Sequence, residues 1–505
     1  MIMRRLRSHA MWRPSPRVRS WLAIGTVLST LFISALAHRS AGLTLPLPWN
    51  DETTFLWPAI HFAQQNTLLS PELNADRPLM WMPPGYMLIL GLIFKIIPFS
   101  FVFVRWLSWG FMALAYVMLI LWMRRYRSFW AALLFLSLFW LNSTFACAGN
   151  VARMDGLLLL LVTAGYLLCA HQAFWKGLPL LACSLLVHPN GIYFFGAALV
   201  AVLLQSAPWR RPTQSEKGLI VLAILAWVAY GLYVHLNWEG FQNDMAMQFS
   251  RKKDWNPLAL LLRWPTCGYM TLYAMIGLVA SVKFRRYLLP IAFGFSSYFI
   301  SVTGHEMWYL FFLQLGMLVL GWLTIAAADR LVQKRWRHPS IRYASGALLG
   351  VVFLCFFYLD GMVEGPRGYF RELAWGWGMH TESEVKYFTE QDRTSIWKAI
   401  QDRLPSGSAG IKVQFIPSAD QFLYFDMFGP KIQPFTPHFT VQKPDMWVVH
   451  ESRYIPPWVA KASEHIQPRS HLLYTRDETE RWYWVAPAEN IGAPEKAGAS
   501  NVSAR

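Results

Sequence analysis

Two adjacent carboxylates, Asp51 and Glu52, stand where a hydrophobic stretch gives way to PWNDETTFLW. Paired acids at the mouth of a membrane span are costly to desolvate, so they point to a functional site. The competing reading is a solvated first turn, where acids favour a helix N-terminus. Other groups with chemical potential follow along the chain: Arg77, then Arg153 and Asp155 in the short loop NVARMD, then His188 ahead of Pro189. Later come the run Arg251-Lys252-Lys253 and the pair His305-Glu306. Each has a plainer reading beside the functional one. Asp155 could cap the helix it precedes, and His188 could fill a helix break. Glu306 could be an interfacial acid, and the basic run could be a solvated loop or a contact to lipid headgroups.

The elements that must position these residues are largely apolar. The stretch from Pro48 to Pro98 contains an aromatic-rich amphipathic helix over Glu52 to Leu69, a polar turn with Arg77, and the rigid pair Pro83-Pro84. The apolar segment from Pro84 to Pro98 is interrupted by Lys95 and is too short for the ~20 residues a crossing needs, so it reads as an interfacial helix. Of 505 residues 55% are hydrophobic, 16% aromatic and only 15% charged, with 26 Trp. Uncharged runs such as Phe129 to Val151 are membrane spans by length. The fold class is a polytopic α-helical membrane protein.

The net charge of +17 does not imply nucleic acid. From Asp360 onward 16 Lys and Arg face 18 Asp and Glu, which leaves 30 bases and 11 acids in the first 359 residues. Those bases cluster between hydrophobic spans, as cytoplasmic loops require. The five cysteines (Cys147, Cys169, Cys183, Cys267, Cys355) lie in or beside apolar segments without CxxC spacing, and read as core or lipid-facing residues.

Taken in order, Trp21 to Ala37 is the first span behind an arginine-rich start, read as an uncleaved helix rather than a signal peptide. Spans follow at Phe101–Met123, Phe129–Gly149 and Leu157–Phe174. Gly177–Gln205 is broken at His188-Pro189-Asn190-Gly191 into two short helices. Leu219–Leu236 leads to a loop from Asn237 to Arg263, and the remaining spans are Cys267–Val282, Leu288–Thr303, Met307–Ala328 and Ile341–Leu359. The total is about eleven. With residue 1 in the cytoplasm, nine of the 11 acids fall outside and 21 of the 30 bases inside. Polar groups gathered on one side resemble an active-site vault more than a transport path, which would place ionisable groups near the midplane of its spans. The expected organisation is a membrane domain over residues 1–359, with residues 38–100 as its first external loop. A small external α/β domain over 360–491 and a disordered tail over 492–505 complete it. The helix Thr389–Leu404 and the strand-like runs IKVQFI, MWVVH and HLLYT carry the α/β reading.

An external loop opening on NDETTF, then WMPPGYMLIL, ARMDGLLLLL and LVHPNGIYFF in that order, resembles the GT-C glycosyltransferases. Within them it is most similar to the dolichyl-phosphate-mannose protein mannosyltransferase superfamily and its bacterial aminoarabinose-transferase relatives. GHEMWYLFFL, with Tyr309, is a looser match to an aromatic exit segment. The resemblance covers the membrane region and weakens after Phe195.

It implies transfer of a sugar from a polyprenyl-phosphate carrier to a lipid, glycan or protein acceptor on the outer face of a membrane. The carrier would be undecaprenyl or a related chain in a bacterial inner membrane. Asp51 would be the general base, with Glu52 assisting it or capping the following helix. Arg77, Arg153, Arg251, Lys252 and Lys253, backed by His188, His305, Glu306 and Tyr309, would line the lipid-phosphate side of the site. Asp155 would either hold a divalent ion, Mg or Mn, with or without Asp51, or orient the acceptor. The family's His or Lys before the proline of the PPG segment is Met82 here, so that phosphate contact must come from elsewhere. Membrane lipids are the other expected partner. A non-catalytic lipid-linked-sugar flippase, or a membrane scaffold with an external binding domain, remains the alternative.

Overall fold

The computed structural model describes residues 15–41, 50–126, 129–141, 149, 151–205, 211–251, 287–300, 307–335, 390–404, 410–416, 418–428, 432–434, 445–452, 470–477 and 480–485. Among them are thirteen α-helices and five β-strands. The chain divides into two compact units. One comprises Met1–Leu45, Met80–Leu88 and Val102–Val385, the other Pro46–Leu79, Ile89–Phe101 and Lys386–Arg505.

In order, the helices are α1 Pro16–Ala41, α2 Asn50–Gln65, α3 Gly85–Phe94, α4 Phe101–Met123, α5 Phe129–Trp140, α6 Asp155–Ala170, α7 Phe174–Ser184, α8 Gly191–Leu204, α9 Gln214–Leu236, α10 Trp238–Arg251, α11 Leu288–Ile300, α12 Met307–Arg335 and α13 Glu390–Arg403. Three contain stretches long and apolar enough to cross a membrane: Pro16–Leu36, Phe101–Met123 and Gln214–Leu236. Several other apolar helices are shorter. α3, at 10 residues, rises about 15 Å, half of a bilayer core. The expected spans Cys267–Val282 and Ile341–Leu359 lie outside the described residues. The segment after Asn237, expected as a loop, contains α10.

In the first unit, α6, α7, α8 and α11 pack in succession, and α11 pairs with α12. Two of these crossings are built on glycine. A Cβ on Gly177 would lie 2.7 Å from the Gly165 carbonyl oxygen, and one on Gly316 would lie 2.6 Å from that of Gly294. Only glycines let the backbones of α6 and α7, and of α11 and α12, come this close. Trp122, Tyr166, Phe194 and Phe293 fill the space between these helices with ring centroids 5.4–6.4 Å apart. The Tyr166 hydroxyl is satisfied by donating to the Phe194 carbonyl at 3.0 Å. α9 starts at a capping box. The Thr213 side chain accepts from the Glu216 N–H, and the Glu216 carboxylate accepts from the Thr213 N–H. That accounts for a buried acid in an apolar helix.

In the second unit the C-terminal segment forms a five-stranded mixed sheet in the order β2-β1-β3-β5-β4. The strands are β1 Ile411–Ile416, β2 Ile432–Pro434, β3 Met446–Ser452, β4 Ser470–Asp477 and β5 Glu480–Val485. β1 is parallel to β2 and β3, with Val413 opposite Met446, while β3, β5 and β4 run antiparallel. Ile396, Trp397 and Ile400 of α13 close the core over Val413 and Phe415 of β1 and Val448 of β3. Alternate apolar residues of β1 face this core, as the period of two requires.

Arg393 of α13 forks onto Asp426 of a 3-10 helix, Ser418–Met427, at 2.5 and 3.2 Å. The hydrogen bond from Arg393 holds the Asp426 carboxyl below the usual carboxylate range, against a smaller opposing effect of burial. A folded-state pKa lowered in this way stabilises at pH values above the unfolded pKa, and the gain is lost as pH falls through the folded value. The carboxylate is mostly exposed, so the pair is worth no more than about 1 kcal/mol. Arg393→Gln is therefore expected to lower the thermal midpoint slightly at neutral pH. The difference from the unsubstituted protein should disappear in acid below the normal carboxylate range.

Candidate functional site

Asp51 and Glu52 occupy the first turn of α2, where the helix dipole favours negative charge. They are not equivalent. Glu52 is fully buried, whereas Asp51 is half-buried and so accessible. The Thr54 hydroxyl donates to the Asp51 carbonyl at 2.7 Å and tightens this turn. Pro58 lies inside the helix, where its missing N–H removes a backbone bond to the preceding turn.

The helix ends four residues short of its expected limit, at Gln65, and Asn66 follows with a positive φ of 58°. It is also less amphipathic than its sequence implies, because every residue from Glu52 to His61 is buried. Three contacts within its unit explain this. His61 pairs with Glu72 at 2.8 Å, pinning the following loop to the helix. A Cβ on Gly91 would lie 2.9 Å from the Ala59 carbonyl, so α3 runs against α2. On another side, Trp57 meets Phe422 and Phe425 of the 3-10 helix at 5.5 and 5.7 Å. Phe99 and Phe101 complete this cluster, Phe99 lying 4.8 Å from Phe425 and Phe101 stacked on Phe422 at 5.7 Å. Such aromatic pairs add roughly 0.5–1.5 kcal/mol each beyond area burial. The C-terminal segment thus braces the helix that carries Asp51.

Arg77 lies in the same unit, in a turn organised by Asn74. The Asn74 side-chain oxygen accepts from the backbone N–H groups of Asp76 and Arg77 at 2.9 and 3.3 Å. The Arg77 guanidinium, half-buried, donates to the Pro78 carbonyl at 3.3 Å.

In the first unit the structure brings Arg153 and Asp155 together. The Arg153 Nε donates to Asp155 Oδ2 at 3.0 Å, and both side chains are at least 97% buried. Asp155 is the first residue of α6, the cap position belongs to Met154, and no side chain caps this helix. The capping role open to Asp155 in the sequence is therefore not the one it takes. Its Oδ1 is buried without a hydrogen bond among the described residues. Gly156 sits so close to α4 that a Cβ there would be 3.0 Å from the Ser108 carbonyl, while the Ser108 hydroxyl donates to the Val151 carbonyl at 2.8 Å. These contacts set the loop that presents the pair.

The PPG and HPNG motifs meet in the same unit. The Gly85 N–H donates to the Leu186 carbonyl at 2.8 Å, and a Cβ at Gly85 would collide with that oxygen. Gly85→Ala is expected to destabilise the protein by roughly 2–4 kcal/mol, since neither backbone can yield without breaking the bond. Denaturant or thermal unfolding of the purified protein in detergent checks this. Just beyond, His188 is buried, and its Nδ1 accepts from the Asn190 N–H at 3.0 Å. An accepting Nδ1 places the ring proton on Nε2, so His188 is a neutral donor in this arrangement. It shapes the break between α7 and α8 and can still donate through Nε2.

Two buried charged residues escape the sequence reading. Asp244 of α10 is fully buried and accepts from the Met80 N–H at 2.7 Å, holding the chain just before WMPPG. Arg105, in the second turn of α4, is also fully buried. A lone arginine in an apolar span is the signal that marks it. Arg251 ends α10 and Tyr309 lies in the first turn of α12. Lys252, Lys253, His305 and Glu306 lie outside the described residues.

The described residues contain no group of three or more His, Cys, Asp or Glu able to hold a metal ion. At Asp155 one carboxylate oxygen is already engaged by a guanidinium, whose positive charge opposes a cation there. Among the described residues Asp155 has no companion ligands for the divalent ion that was one of the two roles expected of it.

No family model matches the chain, and no curated protein matches it in sequence. Among solved structures it is similar to ArnT from Cupriavidus metallidurans in the apo state, with a TM-score of 0.51 and 14% identity over 93% of this chain and 98% of that one. The same ArnT bound to undecaprenyl phosphate matches with a TM-score of 0.50, the same identity and the same coverage. At this identity the likeness is one of fold. It extends over nearly the whole of both chains, so the chain shares the fold of that ArnT, a neighbour of the kind that its motifs led us to expect.

Proposed function

We propose that this protein is a glycosyltransferase that takes a sugar from a polyprenyl-phosphate carrier and delivers it to an acceptor hydroxyl or amine at the outer face of a membrane. The observation that supports it most is the shared fold with a protein whose structure holds undecaprenyl phosphate. The half-buried Asp51 at a helix N-terminus adds to it.

In the reaction, the acceptor's lone pair forms a bond to the anomeric carbon as the bond from that carbon to the phosphate oxygen breaks. The acceptor proton passes to the Asp51 carboxylate, and the electron pair leaves with the polyprenyl phosphate. Arg77, in the unit that carries Asp51, and Arg153 are each a candidate for neutralising charge on that phosphate, to be tested separately. Asp155 holds the Arg153 guanidinium in one orientation, so its role is to position that cation. Glu52, buried behind Asp51, keeps its turn in place.

The test is transfer by the purified protein in liposomes supplied with a radiolabelled polyprenyl-phosphate sugar. Label leaving the lipid with release of free polyprenyl phosphate supports the proposal. Intact labelled lipid appearing in the opposite leaflet, with no release, would replace it by the flippase reading.

A further inference from the structure

Asp51 and Arg77 belong to one unit but to different elements, Asp51 to the start of α2 and Arg77 to the turn that follows that helix. A buried pair ties these elements together. His61 Nε2 of α2 meets the Glu72 carboxylate at 2.8 Å, with 10% and 14% of the two side chains exposed. A carboxylate only accepts, so Nε2 is the donor. Away from water such a bond is stronger than its surface counterpart. The other ring nitrogen, Nδ1, is buried without a hydrogen bond among the described residues, so there the polar group that orients the ring is Glu72. From Glu72 the order carries on to Arg77. The Ser70 carbonyl accepts from the Leu73 and Asn74 N–H groups, both at 2.9 Å, and the Asn74 side chain accepts from those of Asp76 and Arg77. Ser70 to Arg77 is thus one hydrogen-bonded turn with Glu72 inside it, and a displacement of Glu72 reaches Arg77. The start of the loop is held separately. The Lys95 ammonium donates to the Asn66 side chain and lies 4.9 Å from the centre of the Phe62 ring.

We propose that Glu72 is a positioning residue for sugar transfer: held by His61, it sets where the Arg77 guanidinium stands relative to Asp51. The role rests on the glycosyltransferase reading, because Arg77 acts on the phosphate of the donor. Bond formation and bond cleavage occur at one anomeric carbon. The base and the cation facing the leaving phosphate must therefore keep a set separation across the sugar, and a misplacement of about 1 Å in such a pair costs up to ~10²-fold in rate. The role needs an acceptor for the His61 Nε2 proton, which an amide oxygen also provides. Because Lys95 holds Asn66 independently, loss of Glu72 shifts the Arg77 turn without releasing the loop from its start.

The experiment is a double-mutant cycle on transfer from a radiolabelled polyprenyl-phosphate sugar by the purified full chain in liposomes, with thermal unfolding measured beside it. Glu72→Ala should lower kcat/KM about tenfold to hundredfold. Glu72→Gln, which keeps the acceptor, should retain most of the activity. Arg77→Gln should cause a loss of its own, and adding Glu72→Ala to it should cost little more, because the cation being positioned is gone. His61→Asn, whose amide falls short of Glu72, should repeat the loss, whereas His61→Gln reaches it and should not. This second pair carries the test if Glu72→Ala fails to fold. Losses that multiply in the combined variant, full activity in Arg77→Gln, or a Glu72→Gln form as impaired as Glu72→Ala would overturn the positioning role. No transfer by the unsubstituted protein would instead overturn the function on which the role rests.

Discussion

Asp51→Asn is expected to reduce sugar transfer by about 10²–10⁴-fold, the range removed when a positioned general base is lost. Asparagine keeps the shape of the side chain and its place in the first turn of α2, but it cannot accept a proton. The fold of the turn should survive, because its bracing comes from other groups. The Thr54 hydroxyl bonds to the Asp51 carbonyl rather than to its carboxylate, and Trp57, His61 and Gly91 fix the helix further along. The unfolding midpoint should therefore stay within the small range typical of a partly exposed substitution. Activity measured alongside thermal unfolding separates the outcomes. Normal transfer by Asp51→Asn would assign the base elsewhere, whereas loss of both activity and folding would make Asp51 a structural residue.

The second large effect belongs to the Arg153–Asp155 pair. Removing one member of a buried ion pair leaves the other charge uncompensated, at a cost of roughly 3–5 kcal/mol. Asp155→Asn does so with almost no change in volume, and is expected to lower stability by that amount. Replacing both residues, as Arg153→Met/Asp155→Leu, removes the stranded charge and should recover most of the loss. The double variant then gives a clean reading of function. If it folds and transfers sugar normally, the pair is a structural staple of the loop before α6. If it folds but transfer falls, most of the loss appearing in kcat, the guanidinium is needed where charge develops on the leaving phosphate.

Much of this architecture is legible in the chain because its signals are local. α4 begins and ends at the residues where apolar character begins and ends, Phe101 and Met123. The break in the Gly177–Gln205 run falls at His188-Pro189-Asn190-Gly191, where proline and glycine interrupt helical bonding. The same holds for β1, β3 and β4, whose alternation is visible. β2 is three residues ending in proline, and β5 opens on two charged residues followed by aromatics that read as interfacial, so neither stands out.

What escapes is long-range. Nothing around Asp244 reveals that its carboxylate serves the Met80 N–H, 164 residues away. The partnership of Gly85 with Leu186 is equally invisible, although each motif is recognisable alone. Arg105 is different. It is plain in the sequence, but nothing local separates a charge at the flank of a span from one buried near its start. Among the candidate site residues, Asp51 and Asp155 stand out by type and context. The burial of Glu52 and the hydrogen bond at His188 are encoded by no spacing.

The two backbone anchors of the WMPPG segment bear on how the chain is made. Met80 is held by Asp244 and Gly85 by Leu186, and both partners are encoded downstream. At a translation rate of about 5–20 residues per second, Leu186 emerges roughly 5–20 s after Gly85, and Asp244 roughly 8–30 s after Met80. During that interval the Met80 and Gly85 N–H groups lack the acceptors that they have in the folded protein, and the chain on both sides of the segment belongs to the other unit. Assembly of this region therefore waits on synthesis. The prolines at 83 and 84, which limit the backbone to few conformations, keep the segment close to its final shape until Leu186 and Asp244 exist.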